Sequence, residues 1–473
     1  MRIGDRWDLG LFFFRLVLAA LAAFVVFLPL PFGSVLPSSH IVIQVTAFLL
    51  LAVAAMVAPR LADVRPAALP AACVAGVALL GAMQAATVPA AIVRNLSPEH
   101  ARLQAGAAKV VRGVGFERDV ASTLSLNPAA SRAAALTWVA VAAGMLAAAL
   151  VSTGRKDRRV LAFALVASAL FQVLLGASNL NFTPTSIWGM QVPNDPLRLR
   201  GSFINADHLA LYLELVLSVT FAWGWWAMRR AGFDPRIDRR VAFIAPPVIV
   251  WLTLFVGLAF TGSRAGLVAA CAGAAVQGLL LAMRRRRWRI GAAGIVAALV
   301  GIGAVAFIGL QQGLGRWLGT SPYEVTWSDR IEVYRHSLGL WQRFPLIGTG
   351  LSTFRDAFTL VAPHRLAGDW YWHAHNDLLE ILVTTGLVGA ALVVVGIAAA
   401  VRGLIPVLRD GERSEDRGAA LAALGALAAV AVHSCFDFGL SMPANSMTLA
   451  IIVGAALVAQ RAEGKKEEVK RES

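Results

Sequence analysis

The sequence predicts an all-α polytopic membrane protein of about 12 transmembrane helices. Three observations predict it. Of 473 residues, 58% are hydrophobic and only 15% charged, more apolar side chain than a soluble chain of this length can bury. The apolar residues gather in runs close to the roughly 20 residues a helix needs to cross a bilayer. The 43 Lys and Arg fall in short clusters between those runs, the distribution that sets membrane orientation.

The runs lie at about 11–30, 41–58, 68–88, 133–151, 160–180, 208–227, 241–260, 264–282, 290–310, 377–401, 418–437 and 445–460. Each is expected to be helical, because hydrocarbon offers the backbone no other hydrogen-bond partner. An even number of spans puts both termini on one side. With that side cytoplasmic, the inner segments hold Arg60 and Arg65, Arg155–Arg159, Arg229–Arg240, Arg284–Arg289, Arg402–Arg417 and both tails, which together carry most of the basic residues. The others fall mainly in two outer connections, 89–132 and 311–376, too long to be turns. Arg15 interrupts the first run and Pro29-Leu30-Pro31 makes a poor cleavage site, so the first span is expected to be retained.

Residues 1–473 therefore read as a single membrane domain, with 462–473 a disordered cytoplasmic tail. The net charge of +15 comes from dispersed clusters and not from one patch with interleaved aromatics, which excludes nucleic acid as the natural partner. Cys73, Cys271 and Cys435 lie in separate apolar stretches and read as small buried hydrophobes.

The connection 311–376 contains a helical pattern over Trp327–Phe344. Its Ile331, Tyr334, Leu338 and Trp341 recur at spacings of three and four, an apolar face for the membrane or the span bundle. On the same outer side stand Arg198 and Arg200 in RLRGSFINADH, Arg264 in TGSRAG, Arg330 in WSDR, and His373 with His375 in HAHNDLLE. Arg264 opens a helix, where a cation opposes the helix dipole. Its position makes sense if backbone amides and guanidinium hold an anion together, or if the side chain reaches out to lipid headgroups. Arg198 and Arg200 are either anion ligands or a solvated loop. Imidazole is the side chain best suited to take a proton near neutral pH. The alternative for His373 and His375 is an interfacial pair beside a cap made by Asn376 or Asp377 with Glu380. Two residues apart, the histidines do not share a helical face.

Within the spans, Glu214, and His433 with Asp437 four residues on, are candidates because ionisable groups in a membrane are costly; they also suffice to satisfy one another. The sequence has no Asp-x-Asp and no His-x-x-x-His, so neither a metal site nor a cofactor is expected.

Three pieces in order resemble the O-antigen ligase and polymerase superfamily of bacterial envelope glycosyltransferases. They are Arg198-Leu-Arg-Gly-Ser-Phe followed by Asn205, Gly262-Ser-Arg264-Ala-Gly, and the long connection running from Phe344-Pro-Leu-Ile-Gly-Thr-Gly to His375-Asn376 and Gly386-Leu-Val-Gly. The resemblance covers roughly residues 190–400. It implies a metal-independent enzyme of the GT-C type in the bacterial inner membrane. Such an enzyme takes a glycan from undecaprenyl diphosphate and passes it, on the periplasmic side, to a sugar hydroxyl of lipid A core or of another lipid-linked saccharide. By motif position Arg198 and Arg264 correspond to the arginines that grip the diphosphate, with Arg200 and Arg330 as neighbouring candidates. His375, or His373 beside it, corresponds to the histidine that serves the acceptor. Ligase and polymerase share the motifs and differ in acceptor, so both stay open. Twelve spans also suit a transporter or flippase of lipid-linked saccharide, which predicts symmetric halves and helices broken around a midplane site. Neither is visible in the sequence.

Overall fold

The computed structural model describes residues 3–58, 64–115, 120–192, 198–232, 234–285, 327–363, 371–411 and 413–459. The architecture is the all-α membrane fold that composition and periodicity imply: among the described residues, ten helices are long and apolar enough to cross a membrane. They are α1 (Ile3–Phe27), α2 (Pro37–Val57), α3 (Arg65–Gln84), α6 (Pro128–Val151), α7 (Arg155–Phe182), α8 (Ala206–Ala231), α9 (Ile237–Phe260), α10 (Arg264–Arg285), α13 (Asp377–Asp410) and α14 (Ser414–His433). The short helices α4 (Ala90–Leu96), α5 (Pro98–Gly113), α11 (Trp327–Arg343) and α12 (Phe354–Phe358) lie in the long connections, and α15 (Pro443–Leu457) follows α14. The ninth expected span, 290–310, and the tail 462–473 lie outside the described residues. The expected last span appears as α15, whose 15 residues are apolar but short for a full crossing.

Proline sets several starts. It stands at the first or second position of α2, α3, α5, α6 and α15, where its fixed φ suits the helix and its missing N–H is no loss. α8 lies at the centre, packed against α9, α10 and α14, and 78% of its apolar window is buried. The outer helices α2, α9 and α13 instead turn Leu49, Met56, Ile249, Val394 and Val395 outward. Apolar surface on that scale belongs against lipid.

α13 is broken. Gly386 adopts φ 63°, ψ −165° inside it, and the connecting segment 345–350 threads into the gap. Leu387 and Val388 donate to the carbonyls of Pro345 and Leu346, while Thr349 and Gly350 donate to those of Val383 and Thr384. Gln84 of α3 seals the junction, donating to the carbonyls of Ile347 and Thr384 and accepting from Leu351 N. These bonds satisfy backbone that a break would otherwise leave bare at membrane depth. The two glycine-rich pieces, FPLIGTG and GLVG, are thus two sides of one joint. A side chain at Gly386 would meet the Leu346 carbonyl at 2.4 Å, and one at Gly348, also at positive φ, the Thr384 carbonyl carbon at 2.3 Å. Gly386→Ala is expected to cost more than the about 1–3 kcal/mol of backbone strain alone and to abolish the monodisperse peak in size-exclusion chromatography of detergent extracts. A normal elution profile would mean that the joint tolerates a methyl group. This break, which was not visible in the sequence, is filled by the protein's own backbone.

The two long connections pack on each other at the end of the bundle where α8, α10 and α13 begin. Leu126 N donates to the Thr349 carbonyl, Arg343 pairs with Glu99 at 2.9 Å, and Asn127 donates to Asp356 at 2.8 Å. His100 is fully buried against Phe344, and burial pushes its imidazole down to about 4, so it packs as a neutral ring. α11 starts where the sequence places it, but its face is rotated. Val333, Ser337, Leu340 and Phe344 point inward, while Ile331 and Leu338 are exposed and Tyr334 and Trp341 half-buried. The spacing of three and four was right for a helix, yet Tyr334 and Trp341 lie along the edge of the interface, with Val333, Ser337 and Leu340 at its centre. Of the cysteines, Cys73 is buried as expected, whereas Cys271 and Cys435 are only partly covered.

Candidate functional site

The capped end gathers the chemistry-bearing residues around a turn, 434–438, that follows α14. The helix ends at His433, not at 437 as the apolar run suggests, so Asp437 lies in the turn and not on a shared helical face. Arg330 of α11 donates to the Phe436 carbonyl at 2.6 Å. Tyr334 donates to the His375 carbonyl at 2.8 Å, and Asn376 to the Cys435 carbonyl at 3.0 Å. Asn376 also caps α13, accepting from Leu379 N. Side chains from α11 and from the residue that caps α13 therefore hold the turn in place.

Phe438 stands among three histidines. The His373 ring stacks on it at 4.1 Å, and His375 and His208 meet it edge-on at 5.0 and 4.7 Å. His375 has φ 51°, a left-handed conformation uncommon for a side-chain-bearing residue, which turns its ring away from that of His373. The two histidines then have different partners. His373 Nδ1 lies 2.9 Å from Glu380, whose other oxygen accepts from Ala374 N. Burial works to lower the His373 pKa, but the Glu380 carboxylate outweighs it and holds the imidazole above its ordinary value. His375 Nδ1 faces Asp437 Oδ1 at 3.6 Å and makes no hydrogen bond to any described residue. Asp437 is buried, which would raise its pKa, yet the His375 and His433 rings on either side hold it well below the usual carboxylate range. It is an anion at neutral pH.

Behind Asp437 the chain of ionisable groups runs inward. His433 Nε2 lies 3.6 Å from Asp437 Oδ2, and His433 Nδ1 lies 2.8 Å from Glu214 Oε1. Glu214 sits beside Gly266 in the first turn of α10.

The arginines form a second group. Arg198 donates through Nε to the Thr261 carbonyl at 2.5 Å and through Nη2 to Asp207 at 2.7 Å. It braces the 261–263 turn from which Arg264, exposed, opens α10. Ser263 caps that helix, accepting from Gly266 N. Arg200 points elsewhere, donating to the Pro184 carbonyl at 2.7 Å; burial and the neighbouring Arg198 lower its pKa. The structure thus brings Arg198 together with the Arg264 turn, and Arg330 together with His373 and His375, and it turns Arg200 aside. The first turn of α8 links the two groups: Asp207 binds Arg198, and the next residue, His208, meets Phe438.

Asp207 and His208 were missed by sequence reasoning. Both lie in the RLRGSFINADH piece, where the arginines drew the reading, and they stand in the first turn of α8, which Asn205 caps. Asp437 was noticed for its spacing from His433, while its position opposite His375 depends on a contact 62 residues apart in the chain.

A bundle of helices long and apolar enough to span a membrane, with a histidine–carboxylate pair and an arginine-bearing turn at one end, defines a polytopic membrane protein equipped for polar chemistry at that end. Residues 248–394 match the family model described as O-Antigen ligase, and the match supports the O-antigen ligase and polymerase superfamily and its ligase- or polymerase-type glycosyl transfer. The matched stretch contains Arg264, Arg330, His373 and His375 and excludes Arg198 and Arg200. No curated protein matches the chain.

Proposed function

We propose that this chain is a glycosyltransferase of the bacterial inner membrane that moves a glycan from undecaprenyl diphosphate to a sugar hydroxyl on the periplasmic side, as an O-antigen ligase or a polysaccharide polymerase. The observation that carries the proposal is the pairing of His375 with the buried anion Asp437 at the same end of the bundle as the Arg198-braced Arg264 turn. His375 is the general base. Its imidazole takes the acceptor hydroxyl proton as the oxygen bonds to the anomeric carbon. The carbon–oxygen bond to the diphosphate breaks in the same step, and its electrons leave with the phosphate. Arg264 and Arg198, with Arg330 as an outer contact, stabilise that developing charge, while Arg200, turned to the Pro184 carbonyl, is left out of this grip. Asp437 orients the imidazole through Nδ1 and stabilises its cationic form. The present 3.6 Å separation is of the kind that tightens once substrate is bound. His373, its Nδ1 already engaged by Glu380, is the poorer base. The acceptor is a lipid A core in the ligase reading and a lipid-linked saccharide in the polymerase reading. Cells lacking the protein are expected to keep unattached polymer on the carrier lipid in the first case and to lose polymer in the second.

The proposal is tested with purified protein, a defined lipid-linked donor and a sugar acceptor. Asp437→Asn is expected to lower turnover roughly tenfold or more with the acceptor KM little changed, because the residue acts through His375. An unchanged kcat, or a change confined to KM, would remove Asp437 from this role. The orientation has its own test. Thr359 is exposed on the connection 311–376, and Thr359→Cys in an otherwise cysteine-free chain should react in intact cells with a thiol reagent that cannot cross the inner membrane. Labelling only after lysis would put that connection on the cytoplasmic side.

A further inference from the structure

At the opposite end of the bundle, about 25 Å along α14 from His433, two cavities share a rim of arginines. One, of 250 Å³, is apolar and runs between α7, α8 and α14, walled by Phe163, Val166, Val219, Trp223, Trp226 and Ala422. The other, of 460 Å³, is polar and lies at the start of α7, lined by Arg155, Lys156, Arg158, Arg159 and Arg413 with Asp157 and Asp416. Arg155, Arg158 and Arg159 line both.

The acidic residues here already have partners. Asp157 caps the N-terminus of α7 by accepting from Gly154 N, Asp416 pairs with Arg158, and Glu415 accepts from Arg159 at 2.7 Å. Five basic side chains thus meet three acidic ones, leaving a net positive cup. Arg158 is the second, independent sign of a ligand. It is only 9% exposed, spends its terminal nitrogens on Asp416 and the Ser152 carbonyl, and leaves Nε without a hydrogen-bond partner. A buried guanidinium N–H left unpaired is costly, and it marks Arg158 as an arginine of the cup whose donors the protein itself does not fully satisfy. Arg159 lies over Trp226 at 5.3 Å, so cation and aromatic ring meet at the junction of the polar and apolar spaces.

We propose that this paired cavity is a binding site for an anionic glycerophospholipid, with the phosphate in the cup of Arg155, Lys156, Arg158 and Arg413 and an acyl chain against Phe163, Val219 and Trp223. The phosphate supplies the acceptor oxygens that guanidinium groups favour. Trp223 and Trp226 lie in the last turns of α8 beside the arginines, and indole rings favour the interface between headgroups and acyl chains. Free phosphate matches the cup but gives no reason for the adjoining apolar space; a neutral lipid matches the apolar space but not the charge. The site is separate from the proposed glycosyl-transfer site and does not depend on it.

The full chain, purified and delipidated in detergent, would be titrated with dioleoyl phosphatidylglycerol, dioleoyl phosphatidylcholine and inorganic phosphate, with binding read by native mass spectrometry and thermal unfolding. Phosphatidylglycerol is expected to bind and stabilise, and the other two to do neither at the same concentration. The variant Arg155→Gln/Lys156→Gln/Arg413→Gln changes only exposed side chains and should weaken phosphatidylglycerol at least about tenfold. Equal binding of phosphatidylcholine, equal protection by inorganic phosphate, or undiminished lipid binding by the triple variant would each overturn the proposal. The comparison among ligands on the unaltered chain stands even if the variant folds poorly.

Discussion

His375→Ala should stop glycosyl transfer while leaving donor binding intact. The loss is expected to lie in kcat, by about 10²–10⁴-fold, because the imidazole is assigned to the acceptor hydroxyl and the arginines to the diphosphate. His373→Ala should be milder, since His373 is engaged with Glu380 and stacked on Phe438, and the Glu380 carboxylate raises its pKa, favouring the protonated form over the free base. The pH profile separates the two. The His373 variant should keep the pH profile of transfer that the unaltered protein shows. Its stability should respond in the opposite sense to a neutral base. A histidine whose pKa is raised by folding stabilises fully below its unfolded pKa and loses that contribution as pH rises through the folded value, so removing His373 should cost most at acid pH. An inactive His373→Ala beside an active His375→Ala would reverse the assignment, and activity in both would mean that neither histidine is the base.

Arg264→Lys should be nearly as inactive as Arg264→Ala, with a loss of roughly 10²–10³ in turnover. Lysine keeps the charge but offers a single strongly hydrated ammonium in place of a planar fork that binds two phosphate oxygens at once. The structure makes this a clean experiment. Arg264 is exposed at the first turn of α10, and its turn is held by other groups: the Arg198 bond to the Thr261 carbonyl, and the Ser263 cap. Folding should survive the change, so extraction yield and thermal unfolding should match the unaltered protein. Arg198 offers the contrast. It is tied to both Thr261 and Asp207, so its loss should reduce stability as well as transfer. A lysine variant making near-normal product would show that positive charge alone suffices, and would leave Arg264 as an interfacial residue reaching for headgroups.

The membrane class, the helical spans and the capped connections are legible because they rest on local quantities. Run length against bilayer thickness gives α1, α2, α3 and α6–α10. A spacing of three and four gives α11, and a proline or capping residue gives several of the starts. The RLRGSF, GSRAG and HAHN pieces were visible for the same reason, each being a short string at the edge of an apolar run. Local rules also account for the errors. Apolarity continues past His433 although the helix does not, and Gly386 reads as an ordinary helical glycine until segment 345–350 is seen to pair with its neighbours.

What the sequence determined by itself is thus the solvent this protein lives in, because the hydrophobic excess and the run lengths have one physical solution, helices in a bilayer. Which side chains act together was decided only by tertiary structure. Asp437 meets His375 and Glu214 meets His433 across separations of 62 and 219 residues. Arg200 is turned to Pro184 while Arg198, two residues before it, reaches the Arg264 turn. Nothing in a run of apolar residues encodes how one helix is rotated against another. That is set by packing around α8, where side chains on all faces of one helix must fit several neighbours at once.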